Sequence, residues 1–338
     1  MSHALQEIAG RDLGAAQFRR ELVEGCRPVV IRALVGDWPV VRAARRSVQA
    51  LRDYLAPLDA GQPIEVFFGD RSIRGKYYYQ PDLKGFNFER RSLTYREALE
   101  ALVAAIDRPG AQSVYVGSVP TAQCLPGFAA DNPMPLLEAE VKPRLWLGTA
   151  SNVSSHYDTL DNLACVVAGR RRFTLYAPEL IERLYPGPID NTMAGATVSL
   201  AASAAEDLRA RFPLFEEIRN QALTVELEPG DALYLPKLWW HQIEATAPLN
   251  GLVNYWWDAF SFGPDAPYTS MLLAMITIAE RPAAERQAWQ AFFEHYVFRT
   301  HGHPLAHLPA EQHGLLGALK PDNYGKLRAR VMRLLRGS

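Results

Sequence analysis

Two histidines and one aspartate carry the chemistry that this sequence could do. His156 and Asp158 stand two positions apart in Ser155-His156-Tyr157-Asp158, a spacing that turns both side chains to one face of an extended strand. His241 comes later, in the aromatic run Trp239-Trp240-His241. Two neutral imidazoles and a carboxylate on one face of a metal form the 2-His-1-carboxylate set, which holds Fe(II) and leaves the facing positions open. Those positions would accept a 2-oxo acid through two oxygens and then O2. The anionic tail of such a co-substrate needs a buried cation, and Arg170-Arg171-Arg172 opens a strand nearby in sequence. Alternation points Arg171 to the opposite face from its two neighbours, and Arg171 is the expected inward member.

The elements that must position these groups are short β runs. From Arg144 to Phe260 they recur with turn residues between them: Leu145–Leu147, Leu163–Val167, Phe173–Tyr176, Leu223–Leu227, Ala232–Leu235, Gln242–Ala245 and Leu252–Trp257. Gly169 and Pro229-Gly230-Asp231 punctuate the series. Such spacing predicts a mainly β fold, an antiparallel jelly roll, with flanking helices. The longest interruption, Pro178 to Ala222, is a candidate for substrate contacts and contains a helix-like stretch from Glu206 to Asn220. Upstream, Ile64–Phe68 and Lys76–Tyr79 read as a hairpin. Leu93–Ile106 reads as an amphipathic helix capped by Thr94 or Ser92. After Pro267 the pattern becomes helical, apolar on more than one face from Met271 to Ile278 and again from Trp289 to Val297. The expected organisation is an N-terminal α/β elaboration over 1–110, a jelly-roll core over 111–265 and a C-terminal helical region over 266–338.

Bulk properties narrow the function classes. Hydrophobic residues make up 48% and charged residues 22% of the 338, and the formal net charge is −1. That balance gives no pull toward nucleic acid or an anionic membrane. Cys26, Cys124 and Cys165 are scattered and form no CxxC pair, which fits a reducing compartment. No stretch has the apolar length of a membrane span and the N-terminus has no apolar signal core, so a cytoplasmic protein is expected.

The stretches HYDTLDNLACVVAGRRRFTLYAPELIERLYPGP (156–188), GDALYLPKLWWHQIEA (230–245) and GLVNYWWDAF (251–260) together resemble the cupin-like JmjC oxygenases. The likeness points to the group that contains the asparaginyl hydroxylase factor-inhibiting HIF. Weaker likeness extends upstream through EGCRPVVIRAL, KYYYQ, LTYREALEAL and SVYVGS, so that residues 15–265 are covered. The resemblance implies a double-stranded β-helix of the cupin, JmjC type and dimerisation through the C-terminal helices. It implies iron ligands His156, Asp158 and His241, with 2-oxoglutarate contacts at Tyr115, Asn162, Arg171 and Asn254. Trp256 would wall the substrate pocket and Tyr78 would reach toward the iron. The implied activity is Fe(II)- and 2-oxoglutarate-dependent hydroxylation of a protein or peptide side chain. The same chemistry on a small molecule, a tRNA base or a methylated lysine stays open, as does a catalytically silent cupin acting as a binding module.

Departures from the family pattern bear on the co-substrate and the target. Relatives carry lysine where Arg171 stands; arginine still binds a carboxylate, through a longer planar fork. Many carry threonine where Val153 sits, which removes one hydrogen bond. Met193-Ala194-Gly195-Ala196-Thr197 is small and largely apolar where the asparaginyl hydroxylase offers polar side chains, so the asparagine target is not transferred. His301, His303, His307 and His313 lack acidic or thiol partners at ligand spacing and read as loop histidines. Cys165 reads as a core residue.

Overall fold

The computed structural model describes residues 5–80, 83–108, 110, 112–190, 192, 197–202, 204, 206–319 and 322–337. Its strands are β1 (Gln6–Ala9), β2 (Val29–Arg32), β3 (Pro63–Asp70), β4 (Lys76–Tyr77), β5 (Phe88–Thr94), β6 (Gln112–Pro120) and β7 (Arg144–Gly148), followed by β8 (Ser151–His156), β9 (Asp161–Ala168), β10 (Arg171–Tyr176), β11 (Leu223–Leu227), β12 (Ala232–Leu235), β13 (Trp240–Ala245) and β14 (Asn250–Trp257). Among the described residues they make a nine-stranded sheet, ordered β1-β2-β12-β9-β14-β7-β6-β3-β5, and a five-stranded sheet, ordered β11-β10-β13-β8-β4. The mainly β expectation, with flanking helices, is met.

Each sheet follows from its pattern. β9 is buried at every position, as its unbroken apolar run demands of a strand held between β12 and β14. β10 alternates instead. Arg171, Phe173 and Leu175 are buried, while Arg172 lies on the outer face between Glu226 of β11 and Glu244 of β13. A one-residue slip would bury those outward charges and expose Phe173. Val166, Phe173, Leu175, Val225, Leu235 and Leu252 from the two sheets form the shared core. The two sheets therefore face each other as a jelly roll.

Four of the strands before residue 110 (β1, β2, β3 and β5) extend the large sheet. β3 pairs with β5 and β6, and β4 does not fold back on it as the hairpin reading expected. Instead β4 joins the small sheet, parallel to β8, with Tyr77 opposite Val153. Gly75, at φ +74°, permits the crossover, because its α-carbon passes close to the Ala150 carbonyl where a Cβ would collide. The predicted helix runs from Tyr95 to Asp107, with Thr94 and Glu97 forming a reciprocal capping box. The helix-like stretch in the long insertion breaks at Pro213 into the helix Pro213–Ile218 with 3₁₀ turns on either side.

The chain divides into two units, Met1–Trp257 and Asp258–Ser338. The second contains the helices Pro267–Ile278, Ala283–Phe293 and Asp322–Leu335. Large apolar side chains remain exposed there, among them Ile276, Phe292, Phe298 and Leu334. Among the described residues no helix is long and apolar enough to cross a membrane.

Candidate metal centre

His156 closes β8 and His241 stands near the start of β13; antiparallel pairing sets the two directly opposite each other. Their ring centroids are 4.3 Å apart. Asp158 follows β8, and its backbone carbonyl accepts a hydrogen bond from Leu238 N at 2.8 Å. That bond ties the segment leaving β8 to the segment entering β13. The three side chains then offer ligand atoms that all lie within 4.8 Å of one another. Among the described residues no other three His, Cys, Asp or Glu side chains converge in this way.

Each imidazole is aimed by its own strand. Nδ1 of His156 lies 2.8 Å from the Ser154 carbonyl, and Nδ1 of His241 lies 3.0 Å from the Trp239 carbonyl. A carbonyl only accepts, so both protons sit on Nδ1 and both Nε2 atoms present lone pairs. Burial, then the neighbouring imidazole, push the pKa of His241 down to about 4. The neutral form, which a metal requires, is thereby the one present at pH 7. Asp158 is held from the other side, where Trp256 Nε1 donates to its Oδ2 at 3.1 Å.

Beside this cluster is a cavity of about 250 Å³. Arg171 is 1% exposed on its wall, and its Nε and Nη2 find no hydrogen-bond partner. The Tyr115 hydroxyl is placed to accept from the same guanidinium. A fully buried cation with unmet donors is expensive without an anion. Asn254 donates through Nδ2 to Asn162 Oδ1 at 3.2 Å and accepts from Trp146 Nε1 at 2.6 Å. Both amides are thus fixed in orientation while facing the cavity. Two imidazole lone pairs, a carboxylate and a guanidinium with two unmet donors fit a divalent metal with an anionic co-substrate beside it.

Residues 15–262 match the family described as Cupin-like domain. The chain belongs to this family. The relatives it matches include JmjC proteins. Jumonji C domain-containing protein 5 of Drosophila melanogaster is 36% identical over 34% of this chain and 27% of its own length. The lysine-specific demethylase JMJ31 of Arabidopsis thaliana is 34% identical over 34% of this chain and 20% of its own length. The bifunctional peptidase and (3S)-lysyl hydroxylase JMJD7 of Homo sapiens is 26% identical over 71% of this chain and 80% of its own length. The chain thus spans less than a third of the first two relatives.

Of the residues singled out in the sequence, the cupin-like domain brings His156, Asp158, His241, Tyr115, Asn162, Arg171, Asn254 and Trp256 to one cavity. Tyr78 is not among them. Its hydroxyl donates to the Leu200 carbonyl at 3.2 Å, and Tyr77 lines the cavity in its place, with its hydroxyl 3.1 Å from Ser113 Oγ. The parallel pairing of β4 with β8 decides this, because it sets Tyr77 beside Val153. Val153 lines the wall and offers no hydrogen bond there, as its type requires. Val198, from the middle of the long insertion, bridges to His156 and lines one side of the cavity. Val198 and Trp146 carried no signal in the sequence beyond being apolar. Met193–Ala196 lie outside the described residues, whereas Thr197 is buried.

Among the described residues the C-terminal histidines form no second cluster of metal-ligating side chains. His303 is engaged through both ring nitrogens, with Leu305 N donating to its Nδ1 and its Nε2 donating to the Leu316 carbonyl. No lone pair remains for a ligand. His313 stacks on it at 4.2 Å and donates from Nε2 to the Leu308 carbonyl. Cys165 is completely buried and its thiol is pushed up far from the reactive range.

Proposed function

We propose that this cupin-like protein is an Fe(II)- and 2-oxoglutarate-dependent oxygenase that hydroxylates a side chain of a protein or peptide. The single observation behind the reading is the pairing of one convergent His-Asp-His cluster with one buried arginine that has two unmet donors and no carboxylate partner among the described residues, in the same cavity. In this reading His156, Asp158 and His241 hold the iron, with His241 and His156 oriented through their Nδ1 protons. Arg171 takes the distal carboxylate of 2-oxoglutarate bidentately, and Tyr115 shares that contact. Asn162 and Asn254 line the path between anchor and metal, and Trp256 holds Asp158 while walling the target pocket. Bound iron would supply O2 activation coupled to oxidative decarboxylation of the co-substrate, giving succinate. The apolar side chains around the chamber, Phe67, Tyr77 and Trp146 among them, exclude water from the oxidant.

A protein target is supported by the relative named a lysyl hydroxylase, whose length is largely covered. Removal of a methyl group from lysine is the second reading, supported by relatives named lysine-specific demethylases. The net charge of −1 argues against a tRNA target. The exposed apolar side chains of the C-terminal unit support a homodimer through those helices.

The test is to incubate purified protein with Fe(II), 2-oxoglutarate and O2 and to measure succinate. Slow succinate release without a target, and a 16 Da gain on one class of peptide, are the expected results. Absence of succinate, together with no 2-oxoglutarate-dependent rise in thermal stability, would overturn the reading.

A further inference from the structure

A second cavity, of about 350 Å³, adjoins the metal-side chamber; the two share Glu65, Gly117 and Ser118. The shared wall is a bulge in β6. Its register against β7 shifts between Val116 and Val119, leaving Gly117 and Ser118 unpaired in the ladder. Ser118 sits at φ +53°, in the left-handed region that a non-glycine residue avoids. Bulges and strained residues of this kind re-aim the backbone beside sites. Gly117 has room at its α-carbon, since an added Cβ would come no closer than 3.6 Å to Trp146 or Phe67.

Arg144, at the start of β7, lines the second cavity. Its Nη2 donates to the Ser118 carbonyl at 2.9 Å, its Nε donates to Ser118 Oγ, and its guanidinium carbon lies 6.0 Å from the Trp256 ring. Among the described residues it has no carboxylate partner and its Nη1 has no acceptor. The other charged residue of the second cavity, Glu65, is already paired with Arg90 at 3.7 Å. Arg144 is therefore the cation of the second cavity without a carboxylate partner, half-buried and bonded to Ser118, which lines both cavities. Burial lowers its pKa, which is the sign of a cation held away from water without an anion to offset it.

We infer that the second cavity is a subsite for a carboxylate on the substrate, gripped by Arg144, which selects peptides bearing an acidic group close to the oxidised residue. The free Nη1 offers one charge-assisted donor to a carboxylate oxygen. The inference rests on the peptide-oxygenase reading above and deepens it. A purely structural role, bracing the bulge through Ser118, would use Nε and Nη2 and leave Nη1 idle; the subsite uses Nη1.

The probe is a mixed-sequence library of short synthetic peptides, in C-terminally amidated and free-acid forms. It is incubated with the iron-loaded full chain and 2-oxoglutarate, and peptides that gain 16 Da are sequenced by mass spectrometry. Expected is enrichment of Asp or Glu within a few residues of the oxidised position in the amidated library. Enrichment only in the free-acid library assigns the carboxylate to a chain end, which also supports the subsite. For the best peptide, Arg144→Gln raises KM by about tenfold or more while kcat changes little, since one charge-assisted contact is lost. Arg144→Lys recovers part of that loss, and Arg144→Glu shifts the preference toward Lys and Arg. A role confined to bracing the bulge would not switch selectivity by charge. Oxidised peptides with no acidic preference, or with the same preference in Arg144→Glu, overturn the subsite and leave the oxygenase reading standing. Absence of any succinate in the wild type overturns both.

Discussion

Replacing Arg171 by methionine should make the ligand-free protein more stable and its 2-oxoglutarate binding far weaker. The two effects have one cause. Arg171 is 1% exposed, and two of its donor nitrogens have no partner. Each unmet buried donor costs on the order of 1–3 kcal/mol, and a desolvated charge adds to that. Methionine fills similar space without either penalty. Against this, the Tyr115 hydroxyl loses the donor it faces. A net gain of about 1–2 kcal/mol remains, which at about 2–4 °C per kcal/mol raises the unfolding temperature of a domain this size by about 2–8 °C. Binding moves the other way. Leaving the co-substrate carboxylate buried without its cation costs about 3 kcal/mol or more, over about a hundredfold in Kd. The assay is scanning calorimetry of both proteins with a redox-inert divalent metal, with and without 2-oxoglutarate. At about 100 times its Kd the ligand should stabilise the wild type by about 2.7 kcal/mol. The variant should start higher and show no such rise. A variant that is less stable than wild type, yet keeps the full ligand-induced rise, would refute the anchor.

Asp158→Ala removes the only anionic group of the cluster, so iron retained after gel filtration should fall to background. The far-UV circular dichroism should be unchanged, because among the described residues the Asp158 side chain meets only Trp256 and His241 at the cavity wall; full iron retention would exclude it as a ligand. In metal-free protein the depressed pKa of His241 makes the unfolded state bind the extra proton. Stability should therefore be complete above about pH 6.5 and decline as the pH falls toward about 4, where the folded form also protonates. Denaturant titrations across that range should show the slope, and His241→Asn should flatten it. Phe173→Ala, in the core between the sheets, should cost about 3–5 kcal/mol in denaturant midpoint analysis without altering metal affinity per folded molecule.

The His-Asp-His cluster was legible before any coordinates because its chemistry is local in type and its strands are local in pattern. A His-x-Asp pair keeps both side chains on one side, and the aromatic run around His241 could be little other than a strand. Period-two alternation set Arg171 apart from Arg170 and Arg172 without saying which face is inward; the structure buries Arg171 and pairs the other two with Glu228, Glu226 and Glu244 outside. The choice between Tyr77 and Tyr78 was not legible. A run of three tyrosines has no period, and a two-residue strand takes its facing from the partner it finds. That partner, β8, is reached across the fold after the Gly75 crossover and not by the local hairpin that the sequence favours.

By itself, then, the sequence determined the residue types of the His-Asp-His cluster, the strand period that aims them and the separation of Arg171 from its two neighbours, because nearest-neighbour geometry along a strand is enough to set them. Only the tertiary structure decided which tyrosine lines the chamber, that Val198 closes it, that Trp146 and Trp256 lock Asn254 and Asp158, and that a bulge in β6 opens a second cavity beside Arg144. Those depend on pairing and closure between segments far apart in the chain. Such contacts are selected by the total burial of the folded state, which no local stretch encodes.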